Sequence, residues 1–299
     1  NRYNLLDDTV YYDAFLRLLS RGKRQTFVEQ YPYEITPPTD NQPFFFHYFR
    51  WEQTQNILSG LGKTWLPFGG SGFLVLVALL SLAIVLSVVL VLLPLAVRGT
   101  PVDLRSSTNF GSLKSALLYF ACLGLGFLFV EMPLLQQFIL FLGQPAYSFS
   151  LVLFSVLLFS ELGSLVSPKL PLRVVLLILV VVVLVYPPFL SRVFSLSIGW
   201  SLPMRLSVAV LSLAPLGFLL GLPLPGGIRL LEEHASHLIP WAWAVNGCAS
   251  VVSSILAVMG AVTWGFSRVL FAGALAYFLA WLVVEPALLR RWEICESRE

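Results

Sequence analysis

Charge is the scarcest component of this chain. Only 12 % of its 299 residues are Asp, Glu, Lys or Arg, against about 25 % in a typical soluble domain. Hydrophobic residues make up 57 %, and the mean hydropathy is +0.82. A water-soluble globule of this length cannot hide so much apolar surface, so the composition points to an integral membrane protein. Intrinsic disorder and a collagen-like fibre are excluded on the same grounds. Cysteine is nearly absent too: Cys122, Cys248 and Cys295 are the only three. With no CxxC and no Cys/His pair at ligand spacing, a disulfide framework and a zinc site find no support. Net charge is only +3 and the basic residues are scattered, which argues against a nucleic-acid partner. The apolar stretches are continuous runs of about 20 residues rather than ten-residue alternations, which argues against a transmembrane β-barrel. There is no nucleophile elbow, no dinucleotide fingerprint and no Gly-Lys-Ser/Thr phosphate loop. No catalytic residue and no cofactor is therefore expected in this chain.

What is present falls into two parts. Residues 1–70 hold 7 of the 19 basic and 7 of the 16 acidic residues. They contain no basic stub followed by an apolar run, so they do not read as a signal peptide. They read as the end of something soluble. Asp7 to Leu19 has helical character, with Tyr11, Phe15, Leu18 and Leu19 on one face. Residues 35–43 are rich in turn formers. The aromatic run 44–49 fits a strand or an interface anchor, and Trp51 and Trp65 flank the approach to the bilayer.

From Gly72 onward the pattern predicts seven spans: 72–96, 115–132, 146–166, 171–189, 203–222, 240–260 and 266–285. A polar loop, 99–114, carries Asp103, Arg105 and Lys114. Glu131-Met132-Pro133 interrupts the second span, and the ten residues 134–143 are too short to cross alone, so they predict an interfacial or re-entrant helix. Pro187-Pro188 closes the fourth span. A loop with Arg229, Glu232, Glu233, His234 and His237 precedes the sixth, and residues 291–299 form a polar tail. The fold expected is thus all-α, with about seven transmembrane helices behind a short mixed soluble segment. Seven spans put the termini on opposite sides. Lys and Arg divide 10 to 9 between the two sides, so charge alone does not set the orientation.

Five polar residues stand out in the apolar region. Glu131 is a carboxyl within a span, and such a group is usually buried in protein, neutral or paired. Beside Pro133 it fits a broken helix lining a binding site, or else a helix end in the headgroup region. Gln136 and Gln137 lie in the stretch that follows. Glu161 lies about 14 residues, or about 21 Å, into the third span, too far from Glu131 to form a carboxylate pair. Asn246, followed by Gly247, Ser250, Ser253 and Ser254, fits interhelical bonding between closely packed helices, with a polar substrate contact as the alternative. His234 and His237 lack a third ligand at diagnostic spacing and read as a solvated loop. Gly217-Phe-Leu-Leu-Gly221-Leu-Pro-Leu-Pro225-Gly226-Gly227 reads as a packed helix end or hinge.

Several of these segments together resemble one family, the bacterial multi-pass membrane proteins in which a spermidine synthase-like (aminopropyltransferase-like) domain is fused to transmembrane helices. Gly124-Leu-Gly-Phe-Leu-Phe-Val-Glu131, the run Leu134 to Gly143, Tyr147 and Leu162-Gly163-Ser164 are similar to its helix–Glu–amphipathic–helix unit. Gly221-Leu-Pro-Leu-Pro225 with Arg229-Leu-Leu231, and Trp243-Ala-Val-Asn246-Gly247, are similar to two further segments. Tyr31-Pro-Tyr-Glu-Ile-Thr-Pro-Pro-Thr-Asp40-Asn-Gln-Pro43-Phe resembles the closing strands of the soluble domain. The resemblance implies that residues 1–70 are the tail of that domain and its linker, residues 71–290 a polytopic domain with a six-span unit at 115–285, and the whole a C-terminal portion of a longer protein in a bacterial inner membrane. Residues 1–70 would then be cytoplasmic. Glu161 departs from the family, which has a small residue there. The functions to weigh are transporter-like handling of a small molecule without catalysis, an accessory subunit of a larger membrane complex, and the membrane half of an amine-modifying enzyme. The partners implied are the lipid bilayer, other membrane subunits or a missing N-terminal portion.

Overall fold

Peptide groups in an apolar run have no water to bond, so the run closes its own hydrogen bonds as a helix. The computed structural model, which describes residues 10–20, 22–59, 72–98 and 113–296, follows that rule throughout. Its helices are α1 (Val10–Leu19), α2 (Arg24–Gln30), α3 (Thr54–Ser59), α4 (Gly72–Arg98), α5 (Leu113–Leu142), α6 (Pro145–Val166), α7 (Leu172–Ser197), α8 (Leu202–Leu220), α9 (Pro223–His234), α10 (Ile239–Trp264) and α11 (Phe266–Glu296). Among the described residues, seven helical stretches are long and apolar enough to cross a membrane: α4, α5, α6, α7, α8 with α9, α10 and α11. There is no β-strand among the described residues. Trp65, Asp103 and Arg105 lie outside them.

The chain forms two compact units, residues 1–39 with 43–75 and residues 40–42 with 76–299. In the first, the aromatic run is not a strand, although its Tyr48 carbonyl accepts from the Glu34 N–H at 3.0 Å. It forms a ring cluster instead. Phe49 stacks on Phe73 at 5.4 Å, and His47 and Trp51 each lie 5.5 Å from the same ring. Arg50 clasps the neighbouring chain, donating to the carbonyls of Glu29 and Val28 at 2.7 Å each and lying 3.7 Å from the Glu34 carboxylate. Burial pushes the Glu34 carboxyl up, but the hydroxyl and N–H of Thr36, with Arg50 and His47, outweigh it and hold it below its ordinary value. Burial holds His47 below its ordinary value too, with Glu34 opposing. Both folded values are depressed, so both groups contribute stability above their unfolded values and lose it as pH falls through the folded ones. We expect amide exchange across residues 28–53, corrected for intrinsic rate, to speed up as pH drops from 7 to 4. Glu34→Gln should remove the carboxylate part of that response.

In the second unit α5 is the central helix. It packs most extensively on α10 and α11, while α6 packs on α8 and α7 on α11. Three expectations are corrected here. Pro133 does not end a span: α5 runs unbroken for 30 residues, about 45 Å, and residues 134–142 continue it. A break would have left several peptide groups unpaired in an apolar surround, whereas the proline removes one bond. Phe138 and Phe141, both buried, confirm that this stretch belongs to the packed core. Gly143, at φ 76°, then ends the helix in the left-handed cap conformation. For the same reason Pro187 and Pro188 lie inside α7 rather than closing it, and α11 runs past Glu285-Pro286 and through residues 291–296. Third, the expected loop at 223–234 is helix α9. Pro223 and Pro225 sit in its first turn, where backbone N–H groups have no intrahelical partner to lose. No separate short helix is formed at 134–143.

Asp40 to Gln42 belong to this helical unit although the sequence places them before the first span. Asn41 caps α11 from a distance: its Oδ1 accepts from the Ser267 N–H at 2.9 Å and the Ser267 hydroxyl at 2.8 Å, and its carbonyl accepts from the Phe266 N–H at 2.9 Å. Gly265, at φ 87°, leaves the space that Asn41 occupies. Asn41→Ala should cost about 1 kcal/mol, the worth of a lost N-cap, and Asn41→Asp, which keeps the acceptor, should cost much less. Thermal unfolding in detergent, with exchange at the first turn of α11, reads both.

Candidate functional site

Small residues set where the helices meet. A side chain on Gly124 would strike the carbonyl of Asn246, so α5 and α10 touch backbone to backbone there. The contact is sewn by polar groups: Asn246 Nδ2 donates to the Phe120 carbonyl at 3.1 Å, and Ser253 Oγ to the Gly124 carbonyl at 3.2 Å. Gly163 and Gly221 bring α6 against α8 in the same way, meeting the carbonyls of Phe218 and Ser160. At the end of the bundle Gly227 of α9 lies on the Tyr119 ring, whose hydroxyl donates to the Pro223 carbonyl at 2.7 Å.

Two tight pairs, α5–α10 and α6–α8, with α9 across their ends, leave a cavity of about 720 Å³ between them. That lies within the range of small-molecule sites, about 300–1,000 Å³. Its inner wall is Leu123, Gly124 and the buried phenol of Tyr277; Phe127, Leu128 and Leu220 add apolar surface. Ser160, Ser164, Asn246 and Ser250 add polar groups, and Glu161, Glu232 and Trp243 stand exposed at its edge. Arg229 also lines it. One of its terminal nitrogens donates to the Ser167 carbonyl at 2.7 Å, while its Nε is shielded and has no hydrogen-bond partner. None of Glu161, Arg229 and Glu232 is ion-paired with another described residue; Arg50–Glu34 is the pair that forms among them. The cavity is therefore lined by one cation and two carboxylates. No group of three His, Cys, Asp or Glu fit for a metal occurs among the described residues.

The five residues singled out from sequence separate. Glu161 and Asn246 come together on the cavity wall. Glu131 does not join them: it is buried within α5, beside Tyr277 of α11, and accepts no hydrogen bond from a described residue. The uninterrupted helix keeps it in the packed interface rather than at a break. Gln136 is exposed. Gln137 lines a second, smaller space of about 370 Å³ with Asn41, Phe141, Phe194 and Ser267. Missing from the sequence reading were Arg229 and Glu232 as a functional pair. The signal was there: they stand three apart, on one face of a helix whose Leu231 is buried.

Among the described residues this geometry is that of an all-α protein with seven helical stretches of span length and a polar-lined cavity between them. No known protein family, curated protein or solved structure matches it.

Proposed function

We propose that this chain is a multi-pass membrane module that binds and passes a small polar molecule through the cavity between α5, α6, α8, α9 and α10, without catalysis of its own. The observation that carries this reading is the combination of Glu161, Arg229, Glu232 and Asn246 around about 720 Å³ of space in an otherwise apolar bundle. Unpaired charge at such a place costs stability and serves no packing purpose, so a ligand is its simplest use. We place the module in a bacterial inner membrane with residues 1–70 on the cytoplasmic side, as the membrane portion of a spermidine synthase-like protein. The test is uptake into proteoliposomes of the full chain, run over a panel of labelled amino acids, amines and organic acids. Uptake of at least one class, abolished by the cavity-filling variants Ser164→Trp and Leu128→Trp that still elute as folded protein, is the expected result. Equal, background-level uptake of every compound by wild type and filled variants would sink the reading.

A second reading, an accessory subunit, is favoured by α4. Only 11 % of its apolar window is buried within the chain, against 56 % for α5. It predicts co-purification with a membrane partner in mild detergent that alanine-to-tryptophan and leucine-to-tryptophan changes on α4 disrupt.

A further inference from the structure

The charges around the cavity specify more than polarity. Arg229 is held in place by the Ser167 carbonyl, yet its shielded Nε bonds to nothing. A guanidinium on a cavity wall suits an anion, and a carboxylate in particular, because its N–H groups can bond the oxygens. The helix start beside it has few donors to offer that anion. Pro223 and Pro225 remove two backbone donors from the first turn of α9, and the Gly226 N–H is spent on the Leu222 carbonyl at 3.3 Å. Arg229 is the cationic side chain on the described cavity wall.

The same cavity also carries the opposite sign. Glu232 stands one turn along α9 from Arg229, Glu161 lines the cavity from α6, and both are exposed, as is Trp243. Two carboxylates beside an aromatic face suit an ammonium group. A ligand with two or more positive charges and no anion fits poorly, since it would leave Arg229 unmatched and repelled. The remaining wall of Leu123, Phe127, Leu128 and Leu220 is apolar. Its extent leaves room for much more than a glycine-sized molecule.

We infer that the cavity takes an amphipathic zwitterion of the amino-acid type, its carboxylate on Arg229, its ammonium toward Glu161 and Glu232, and a large apolar side chain against Leu123, Phe127 and Leu128. This rests on the small-molecule reading above and names its substrate class. It requires no bond to form or break.

Four probes of matched shape separate the contributions: L-phenylalanine, phenethylamine (no carboxylate), 3-phenylpropionate (no ammonium) and glycine (no apolar side chain). Binding is read as thermal stabilisation and by calorimetry on the purified full chain in detergent. L-phenylalanine should bind at least about tenfold more tightly than each of the other three, the scale of one charge-assisted bond or one buried ring. Arg229→Gln should remove the advantage over phenethylamine. The double variant Glu161→Gln, Glu232→Gln should remove the advantage over 3-phenylpropionate. Each single change leaves the other preference intact, which separates lost recognition from lost folding. Phenethylamine binding as tightly as L-phenylalanine, or Arg229→Gln leaving the order unchanged, overturns the inference. If none of the four binds but another compound is taken up and blocked by Ser164→Trp, the zwitterion inference fails while the small-molecule reading stands. If nothing is taken up at all, both fail.

Discussion

Gly221→Ala is expected to be among the most damaging single-methyl changes in the chain. Its added carbon would meet the main-chain carbonyl of Ser160 in α6, with the Cα and carbonyl carbon of the same residue close behind. Backbone cannot rotate aside as a side chain can. The two helices must separate instead, and Gly163, whose own added carbon would strike the Phe218 carbonyl, shares the same seam. Overpacking of this kind costs about 1–3 kcal/mol, and a rigid backbone obstacle puts it at or above the upper end. The seam also walls the cavity, through Ser160, Glu161 and Gly221, so any ligand affinity should fall with stability. Gly247→Ala is the control. Nothing lies within 4 Å of the carbon it would add, and it sits in the helical run of α10. There the gain in helix propensity, up to about 1 kcal/mol, should leave the protein as stable as wild type or slightly more so. Thermal unfolding of both variants in the same detergent settles the comparison. Equal midpoints for Gly221→Ala and Gly247→Ala would mean that α6 and α8 do not meet as described.

The second large effect concerns Glu131. It is 8 % exposed, in the interface of α5 with α11, without an ion-pair partner among the described residues. Glu131→Gln keeps size and polarity and should change stability little. It should also leave ligand binding intact, because Glu131 is not part of the cavity wall. Glu131→Lys puts a longer, charged side chain into the same space with nothing to neutralise it. Unpaired buried charge costs about 3–5 kcal/mol, a large share of a folded protein's margin. The expected outcome is loss of monodisperse protein on size exclusion. A well-folded lysine variant would place Glu131 in contact with water and contradict the packing of α5 on α11.

The number and placement of the long helices were legible because apolar runs of span length have one low-energy backbone state. The span expected at 72–96 is α4 at Gly72–Arg98, and that at 146–166 is α6 at Pro145–Val166. Prolines were the main source of error. Read as breakers at 133, 187–188 and 223–225, they proved to be tolerated inside α5 and α7 and favoured at the start of α9. Local propensity lost to the cost of unpaired peptide groups and to tertiary packing. The cavity was half legible. Glu161 and Asn246 are visible as polar residues in apolar sequence. Arg229 and Glu232 show only a helical spacing beyond the expected span, and they gain meaning when α9 packs against α5, α7 and α10. Glu131 drew attention for the same reason as Glu161, yet it faces α11. Period alone does not tell which of several neighbouring helices a polar side chain will meet.

The central claim is that the space among α5, α6, α8, α9 and α10 is a ligand site reached from water. It is tested most directly by placing one thiol on its wall, Ser164→Cys, in a chain with Cys122, Cys248 and Cys295 changed to Ser. The protein is then treated, in native membranes, with a charged, membrane-impermeant thiol reagent. The account predicts modification within minutes, slowed by any compound that the proteoliposomes take up. A thiol that stays unmodified in the membrane, but reacts fully once the protein is denatured, would show the cavity closed to water and would contradict the account.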